Sequence, residues 1–129
     1  MAADRLRRRR RAQNWGLAAE TWASLWLRLK GYRILARRAR TPAGEIDLVA
    51  RRGDVLVAVE VKARPSLDAA VDAVSLRQRL RIARALDLVA ARDPDLAGLG
   101  RRLDLIAMRP WRLPLHLEDL HRDHRPYNR

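Results

Sequence analysis

Apolar positions recur at helical spacing near the start of the chain. From about Gln13 to Lys30, one series falls three or four residues apart: Trp15, Ala18, Ala19, Trp22, Trp26 and Leu29. A second apolar seam covers much of the remaining circumference and consists of Leu17, Ala23 and Leu27. The pattern therefore predicts a well-buried helix, on which Glu20 points along the second seam rather than into a polar face.

A second helix begins with residues typical of a helix N-terminus. Ser75-Leu76-Arg77-Gln78 fits a capping box, in which serine and glutamine side chains satisfy each other's backbone N–H groups. The helix should run to about Arg92, because Asp93-Pro94 stops it.

Strand patterns occupy the rest of the chain up to Met108. The clearest strands are Glu45 to Ala50 and Val55 to Ala63, joined by a hairpin signal at Arg51-Arg52-Gly53-Asp54. A weaker basic strand, Tyr32 to Arg40, precedes a turn at Thr41-Pro42-Ala43-Gly44, and Arg102 to Met108 is a last strand. The order helix, three strands, helix, strand predicts an α/β domain.

Length and composition indicate one compact domain. The 129 residues are 48% apolar, and the absence of cysteine excludes disulfide frameworks, zinc ribbons and thiol nucleophiles. We expect a basic disordered arm over 1–12, a domain over 13–110, and a C-terminal tail over 111–129 that packs on the domain or extends from it. Glu20 and Arg28 interrupt any signal-peptide core, and no stretch approaches the ~20 apolar residues of a membrane span. These features predict a cytoplasmic protein without a membrane partner.

The charge balance is strongly basic, at +13, and favours a polyanionic partner. However, 26 of the 28 basic residues are arginine, a bias typical of a GC-rich coding background, which weakens this argument. The same bias makes the two lysines, Lys30 and Lys62, informative, since a retained lysine can serve chemistry that guanidinium cannot. Lys62 lies two residues after one of only four glutamates.

The hairpin places candidate catalytic residues on one face. In the strand Val55 to Ala63, the valines alternate with a face that includes Glu60 and Lys62. If Arg52-Gly53 forms the tip, Asp47 lies opposite Ala58 and diagonal to Glu60, on the same face. Two such carboxylates suit Mg²⁺, and the lysine could orient or help deprotonate the attacking water. The alternative is an ordinary salt-bridge ladder on a solvated strand. Three of four glutamates and one of two lysines lie in or near this cluster, which favours a site.

These residues resemble a known bacterial family. The order of motifs is similar to the uncharacterised UPF0102 (YraN) family, and its most specific parts are Gly44-Glu45-Ile46-Asp47 and Val59-Glu60-Val61-Lys62. That family looks like a branch of the PD-(D/E)XK superfamily, which implies a restriction-endonuclease-like core: a mixed central sheet of about four strands flanked by helices, in the order αβββαβ.

The resemblance also implies roles for individual residues. Asp47, Glu60 and Lys62 would be catalytic, with Gln78 in the first turn of the second helix. Asp47 and Glu60, with Glu20 from the first helix, would hold Mg²⁺ or Mn²⁺. The chain departs from the family at Arg38, where members usually have asparagine.

The favoured hypothesis is a metal-dependent nuclease that cuts phosphodiester bonds of nucleic acid, with DNA favoured over RNA and branched DNA among the candidates. Alternatives are a non-catalytic nucleic-acid-binding module of the same fold and a membrane-surface or partner-binding protein. Whether two copies form a homodimer stays open. The candidate nucleic-acid contacts are all arginines: Arg7, Arg8, Arg9, Arg10, Arg64, Arg77 and Arg81.

Other residues carry weaker signals. The histidines His116, His121 and His124 are most simply part of a solvated tail. Trp15, Trp22 and Trp26 are interpreted as core residues, and stacking on bases is considered only for Trp111.

Overall fold

The computed structural model describes residues 1–120, except for the side chains of residues 10–14. The strands are β1 (Arg33–Thr41), β2 (Gly44–Arg52), β3 (Val55–Ala63), β4 (Gly100–Met108) and β5 (Leu115–Leu117). The helices are α1 (Ala2–Leu29), α2 (Leu67–Asp72), α3 (Leu76–Ala91) and α4 (Pro94–Ala97). All five strands form one sheet in the order β1-β2-β3-β4-β5. The predicted α/β class is therefore confirmed, and the predicted αβββαβ order is present with α2, α4 and a fifth strand, β5, added to it.

The sheet is mixed because of one parallel pair. Strands β1, β2 and β3 form an antiparallel meander, and β5 pairs with β4 in the same manner. Strand β4 runs parallel to β3 along its whole length, from Val55↔Gly100 to Ala63↔Met108. A parallel pair needs a long crossover, which α2, α3 and α4 supply.

Two hydrophobic cores lie on opposite faces of the sheet. Helix α1 covers one face through Ala19, Ala23 and Leu27, which pack against residues such as Val57 and Val59. Helices α2 to α4 cover the other face, where Leu86 packs with the apolar side chains of β2, β3 and β4. The central strands are thus buried on both sides, which accounts for their high Val and Ile content.

Most element boundaries agree with the sequence pattern. Strand β3 has the predicted limits, and the capping box of α3 is present: Ser75 Oγ accepts from Gln78 N–H, and Gln78 Oε1 accepts from Ser75 N–H, each at 3.1 Å. The pattern missed α2, which occupies the predicted loop after Arg64, and it missed β5 in the unassigned tail. Both are short elements whose burial depends on distant partners.

The hairpin tip differs from the expected one by one residue. Arg52 pairs with Val55, so the two-residue tip is Gly53-Asp54 rather than Arg52-Gly53. Gly53 has a φ of +57°, a conformation that favours glycine at the first position of such a turn. Val49, rather than Asp47, therefore lies opposite Ala58. The corrected register moves Asp47 along the strand toward Glu60.

Helix α1 also corrects two expectations. It begins at Ala2 rather than near Gln13, so the arm expected to be disordered is helical; its run of Arg, Leu and Ala has high helix propensity. The interpretation of the tryptophans as core is wrong for Trp22, which is 62% exposed, and Trp15 is 39% exposed. The face on the sheet combines Ala19 of the tryptophan series with Ala23 and Leu27 of the second seam, because small side chains allow close approach. Leu17 of the second seam is 38% exposed and stays outside with the two tryptophans. Across the described helices, none is long and apolar enough to span a membrane.

Candidate functional site

The pairing between strands β2 and β3 ends next to Asp47. The last paired residues of β2 and β3 are Leu48 and Val59, and beyond them the N–H of Val61 donates to Asp47 Oδ2 at 2.9 Å. Side-chain alternation along β2 also breaks at this point, since Ile46 packs in the core beneath α3 and Leu48 in the core beneath α1. The carboxylate of Asp47 thereby replaces a backbone acceptor and is held against β3.

Asp47, Glu60 and Lys62 come together at this divergence and are called the carboxylate site below. Lys62 Nζ lies 3.2 Å from Glu60 Oε1, and the Lys62 and Glu60 side chains are only 22% and 13% exposed. The carboxyl groups of Asp47 and Glu60 are close enough to share a hydrogen bond when one is protonated. This arrangement is unlike a solvated salt-bridge ladder, because its charges are largely buried.

The two carboxyl groups have perturbed proton affinities. Burial, together with the charge of Asp47, raises the pKa of Glu60 to about 7, although Lys62 opposes the shift. Burial likewise raises the pKa of Asp47, and the charge of Glu20 adds to the effect, while the Val61 N–H and Lys62 oppose it. One nearby lysine does not offset two buried carboxylates. The site therefore favours an additional positive charge.

Glu20 lies near this site but is paired with another residue. Its carboxylate accepts a hydrogen bond from Arg38 Nε at 2.9 Å, and the Glu20 side chain is 11% exposed. Arg38 has a φ of +52°, a left-handed conformation in which asparagine is common. The sequence pattern marked the departure at Arg38 but gave no sign that its guanidinium would bind Glu20.

Within residues 1–120, no three His, Asp or Glu side chains form a group that could hold a metal ion. Of the predicted ligands, Asp47 and Glu60 are together, whereas Glu20 contacts Arg38. A pair of carboxylates still fits Mg²⁺ or Mn²⁺, because Mg²⁺ is usually bound through one or two carboxylates with waters and substrate phosphates. The buried, mutually repelling oxygens of the pair are the donors that such a hard cation prefers.

The remaining predicted residues surround the site or lie apart from it. Gln78 is in the first turn of α3, where the capping box engages its side-chain oxygen. Gly44 has a φ of +143°, and a Cβ there would come within 2.9 Å of Arg81 Cδ, so the arginine packs against the turn that leads to Asp47. Arg64 donates to the Ala63 carbonyl at the end of β3. The other candidate arginines that the structure describes are exposed: Arg7, Arg8, Arg9 and Arg77. The side chain of Arg10 lies outside the described part.

A second charged cluster, called the Asp104 network below, was not predicted from the sequence. Asp104 of β4 is fully buried; it accepts two hydrogen bonds from Arg102 at 2.8 and 2.9 Å and contacts His116 Nε2 at 2.8 Å. Lys30 Nζ lies 2.6 Å from His116 Nδ1, and Tyr32 Oη accepts from Arg102 at 2.6 Å. Burial raises the pKa of Asp104, but the bonds from His116 and Arg102 outweigh it and bring the pKa below its usual value.

The Asp104 network corrects the interpretation of one histidine. His116 lies in β5 with a side chain only 3% exposed, rather than in a solvated tail. The contact with Asp104 favours the proton on Nε2, which leaves Nδ1 to accept from Lys30. His121 and His124 lie outside the described residues. A single buried acid in an apolar strand, Asp104 within Leu103-Asp104-Leu105, was the signal available in the sequence.

Comparisons with known proteins match the part of the chain that contains strands β1 to β4 and the carboxylate site. The family described as "Uncharacterised protein family UPF0102" matches residues 19–108. A UPF0102 protein of Chelativorans sp. (strain BNC1) is 51% identical over 121 residues, which is 94% of this chain and 98% of the relative. A UPF0102 protein of Rhizobium etli (strain CIAT 652) is 54% identical over 116 residues, covering 90% of this chain and 95% of the relative. A UPF0102 protein of Paramagnetospirillum magneticum (strain ATCC 700264 / AMB-1) is 51% identical over 112 residues, covering 84% and 87%.

The family match begins immediately before Glu20 and ends with the last residue of β4. It therefore contains the whole carboxylate site, together with Glu20, Arg38 and Gln78. The relatives extend the similarity over most of the chain. On these grounds the chain belongs to the uncharacterised protein family UPF0102.

Proposed function

We propose that the protein is a metal-dependent nuclease that hydrolyses phosphodiester bonds of nucleic acid in the cytoplasm. The observation that carries the proposal is the buried pair of Asp47 and Glu60 beside Lys62. Burial of two carboxyl groups at one point is costly unless a cation compensates them. Perturbed proton affinities of this kind concentrate at functional sites.

Asp47 and Glu60 are the residues that would hold Mg²⁺ or Mn²⁺. When bound, such an ion supplies Lewis-acid polarisation of the phosphoryl group and favours formation of the attacking nucleophile. The N–H of Val61 fixes the orientation of the Asp47 carboxylate at 2.9 Å, so this group is positioned before any ligand arrives. Glu60 would hold the cation as a deprotonated carboxylate, and its pKa of about 7 makes that form available near neutral pH.

Lys62 completes the chemistry on the protein side. Its ammonium lies 3.2 Å from Glu60, where it can orient the attacking water and stabilise negative charge on the phosphoryl oxygens. In the reaction a bond forms between the water oxygen and phosphorus, and the bond from phosphorus to the leaving oxygen breaks. The attacking water releases one proton to the solvent, and the leaving oxygen takes one from it. Gln78 and Glu20 are proposed to assist, Gln78 at the substrate and Glu20 through its charge near Asp47.

The proposed substrate is nucleic acid, with DNA favoured over RNA. The exposed arginines at the start of α1 and the packing of Arg81 beside Gly44 support a polyanionic substrate near the site. Arg64 and Arg77 are proposed to contact the same phosphate backbone.

Cleavage assays test the proposal directly. Purified protein is incubated with linear, single-stranded and branched DNA and RNA, in the presence of Mn²⁺, Mg²⁺ or EDTA. We expect cleavage of at least one substrate with a divalent cation, none in EDTA, and none by Asp47→Asn. The matched control is Glu45→Gln, which removes a half-exposed carboxylate two residues away and should cut normally.

Thermal melts with and without Mn²⁺ provide a second measurement. We expect Mn²⁺ to raise the Tm of the wild type but not of Asp47→Asn, while the variant binds nucleic acid at least as well as the wild type because one negative charge is gone. A wild type that neither cuts any of these substrates nor shows a Tm shift at millimolar Mn²⁺ would contradict the proposal.

A non-catalytic nucleic-acid-binding module is the second candidate. It is favoured by the ion pair between Arg38 and Glu20, which neutralises an acid that the nuclease hypothesis assigns to the metal. The same assays separate the two candidates. Tight binding without cleavage, and with the same Tm in Mn²⁺ and EDTA, would support the module.

A further inference from the structure

An open apolar groove runs between α1 and the connection from β4 to β5. Its walls include Trp15, Trp22 and Trp26 of α1 and Trp111 of the connection, with Arg28 and Arg112 beside them. The cavity volume is about 1080 Å³. This volume exceeds the ~300–1,000 Å³ typical of small-molecule pockets. All four tryptophans of the chain line this one surface, which is called the tryptophan groove below.

The tryptophans of α1 point away from the sheet. The helix packs on the sheet through Ala19, Ala23 and Leu27, whereas Trp22, on the opposite side, is 62% exposed. Large exposed aromatic side chains on one surface add nothing to the core and mark an interaction site. We therefore expect the groove to bind a ligand that covers its indole rings.

Trp111 adds an independent observation. Its φ is +58°, a left-handed conformation that is unfavourable for a bulky residue, and its side chain is completely exposed. The backbone thus adopts a strained conformation and the indole gains no packing in return. Strain retained without a structural benefit indicates a functional constraint.

The charge of the groove identifies the chemistry of its ligand. Arg28, Arg109 and Arg112 line it, and among the described residues that form its walls none is acidic. A ligand with negative charge and flat apolar faces matches both the arginines and the indole rings of the groove. Unpaired bases of a nucleic acid strand have these properties, since they stack on aromatic rings while arginine contacts the phosphates.

We infer that the tryptophan groove binds an unpaired segment of nucleic acid, and that the substrate class is therefore nucleic acid containing a single-stranded region. The inference deepens the proposed nuclease function. The binding of an unpaired strand stands on the groove itself, whereas the description of that strand as a substrate rests on the proposed function. A duplex does not fit equally well, because its base faces are already stacked on each other. Helical spacing places Arg7 and Arg8 on the same side of α1 as Trp15 and Trp22, so basic residues continue the groove toward the N-terminus.

Binding titrations in EDTA test the inference without cleavage. The probes are a short single strand and the duplex of the same sequence, each as DNA and as RNA, and the proteins are full-length. We expect the wild type to prefer single strands, with quenching of its indole fluorescence. Trp22→Ala and Trp111→Ala should each weaken single-strand binding about fivefold to a hundredfold, the range for loss of one stacked base, and leave duplex binding unchanged.

Two control variants separate stacking from general surface effects. Trp22→Phe retains an aromatic face and should keep most of the affinity. Leu80→Ala removes an apolar side chain of α3 that is 58% exposed and lies outside the groove, and it should bind like the wild type. Unchanged single-strand binding by both tryptophan-to-alanine variants would overturn the inference. So would sedimentation showing a wild-type dimer that Trp22→Ala dissociates without loss of nucleic-acid binding, because a second copy would then occupy the groove.

Failure of the inference and failure of the nuclease proposal give different results. If Trp22→Ala binds and cuts like the wild type, the groove is not the binding site and the hydrolytic function stands. If the wild type binds single strands through the groove but cuts nothing with Mn²⁺ or Mg²⁺, the groove assignment stands and the nuclease proposal fails.

Discussion

Two buried charged clusters lie in the same sheet and differ in how their acids are compensated. Asp104 is fully buried, yet Arg102, His116 and the backbone N–H of Asp119 surround its carboxylate, and its pKa is lowered. Asp47 and Glu60 are less deeply buried, yet their pKa values are raised. Burial disfavours charge in both places. The difference lies in the partners: Asp104 has two charged or polar side chains and a backbone N–H for one carboxylate, whereas Asp47 and Glu60 have one lysine and the Val61 N–H for two.

This difference separates an acid that the fold compensates from a pair of acids that could hold a ligand. A carboxylate whose donors are all supplied by the protein stabilises the fold and has no capacity for a ligand. A pair of carboxylates left short of positive charge destabilises the unliganded fold and favours a cation. Burial and charge alone would have ranked Asp104 as the stronger candidate site, whereas the number of donors ranks Asp47 and Glu60 first.

Replacing Lys62 should have the largest effect on activity. We expect Lys62→Arg to lower cleavage by about 10²–10⁴-fold, because a planar guanidinium does not fit the position of a compact ammonium and so misplaces the attacking water. The fold should persist, since the charge beside Glu60 is kept. The measurement is the single-turnover cleavage rate together with the circular dichroism spectrum. Cleavage at the wild-type rate would remove Lys62 from the mechanism.

Replacing Asp104 should have the largest effect on stability. We expect Asp104→Ala to lower the free energy of unfolding by about 3–5 kcal/mol, because the buried Arg102 and His116 lose their shared partner. Asp87→Ala is the control, since Asp87 forms an exposed pair with Arg101 and should cost at most about 1 kcal/mol. Urea denaturation measures both. Equal losses of unfolding free energy in the two variants would contradict the conclusion that the Asp104 network stabilises the fold.

Replacing Glu60 should stabilise the unliganded protein at alkaline pH. The pKa of Glu60 rises from its usual value of 4.5 to about 7, so the folded state binds this proton more tightly than the unfolded state. That contribution is fully present below about pH 4.5 and is lost as pH rises through about 7. Glu60→Gln, which stays neutral, should therefore be more stable than the wild type at pH 8, by up to about 3 kcal/mol, and similar near pH 4.

Thermal melts of Glu60→Gln and wild type across this pH range test the prediction. Adding Mn²⁺ at pH 8 should reduce the difference in Tm between Glu60→Gln and the wild type, because the cation stabilises only the wild type. A wild type that is the more stable of the two at pH 8 without metal would show that the carboxylate site is already compensated, as Asp104 is.

Deleting residues 1–11 should have the smallest effect, because it touches neither cluster. The deletion removes six arginines, so the dependence of nucleic-acid affinity on salt should become shallower. The logarithmic slope should fall by about 0.9 on duplex DNA, or about 0.7 on a single strand, for each phosphate that these arginines neutralise. The free energy of unfolding should change little. Equal affinity and slope for the two proteins would show that the basic start of α1 reflects composition alone.

The sequence predicted what depends on local pattern. Strand β3, the capping box at Ser75 and the shared hairpin of Asp47 and Glu60 follow from spacing within a few residues. The tip of that hairpin was placed one residue early, because both Arg52-Gly53 and Gly53-Asp54 are acceptable turns and only the packing of both strand faces selects the second.

Features that depend on distant contacts were not predictable in this way. Lys30 and His116 are 86 residues apart, and nothing in either segment indicates the other. Helix α1 has two apolar seams, and periodicity alone could not show that the face on the sheet takes residues from both. The small side chains at Ala19 and Ala23 decided this, and Trp22 was left outside.

The placement of Asp47 and Glu60 on one hairpin also bears on the order of folding. Hairpins close on a timescale of about 1–10 μs, whereas contacts across most of the chain pay a larger loop-closure entropy and form later. Asp47 and Glu60 therefore meet while water still screens them, and the Asp104 network joins Lys30 to β5 only when the chain is nearly assembled. The repulsion between the two carboxylates becomes strong only at the end of folding, when α1 and the crossover helices exclude that water. A proton or a cation at Glu60 thus acts on the final, consolidating step of folding and leaves the early chain collapse unaffected.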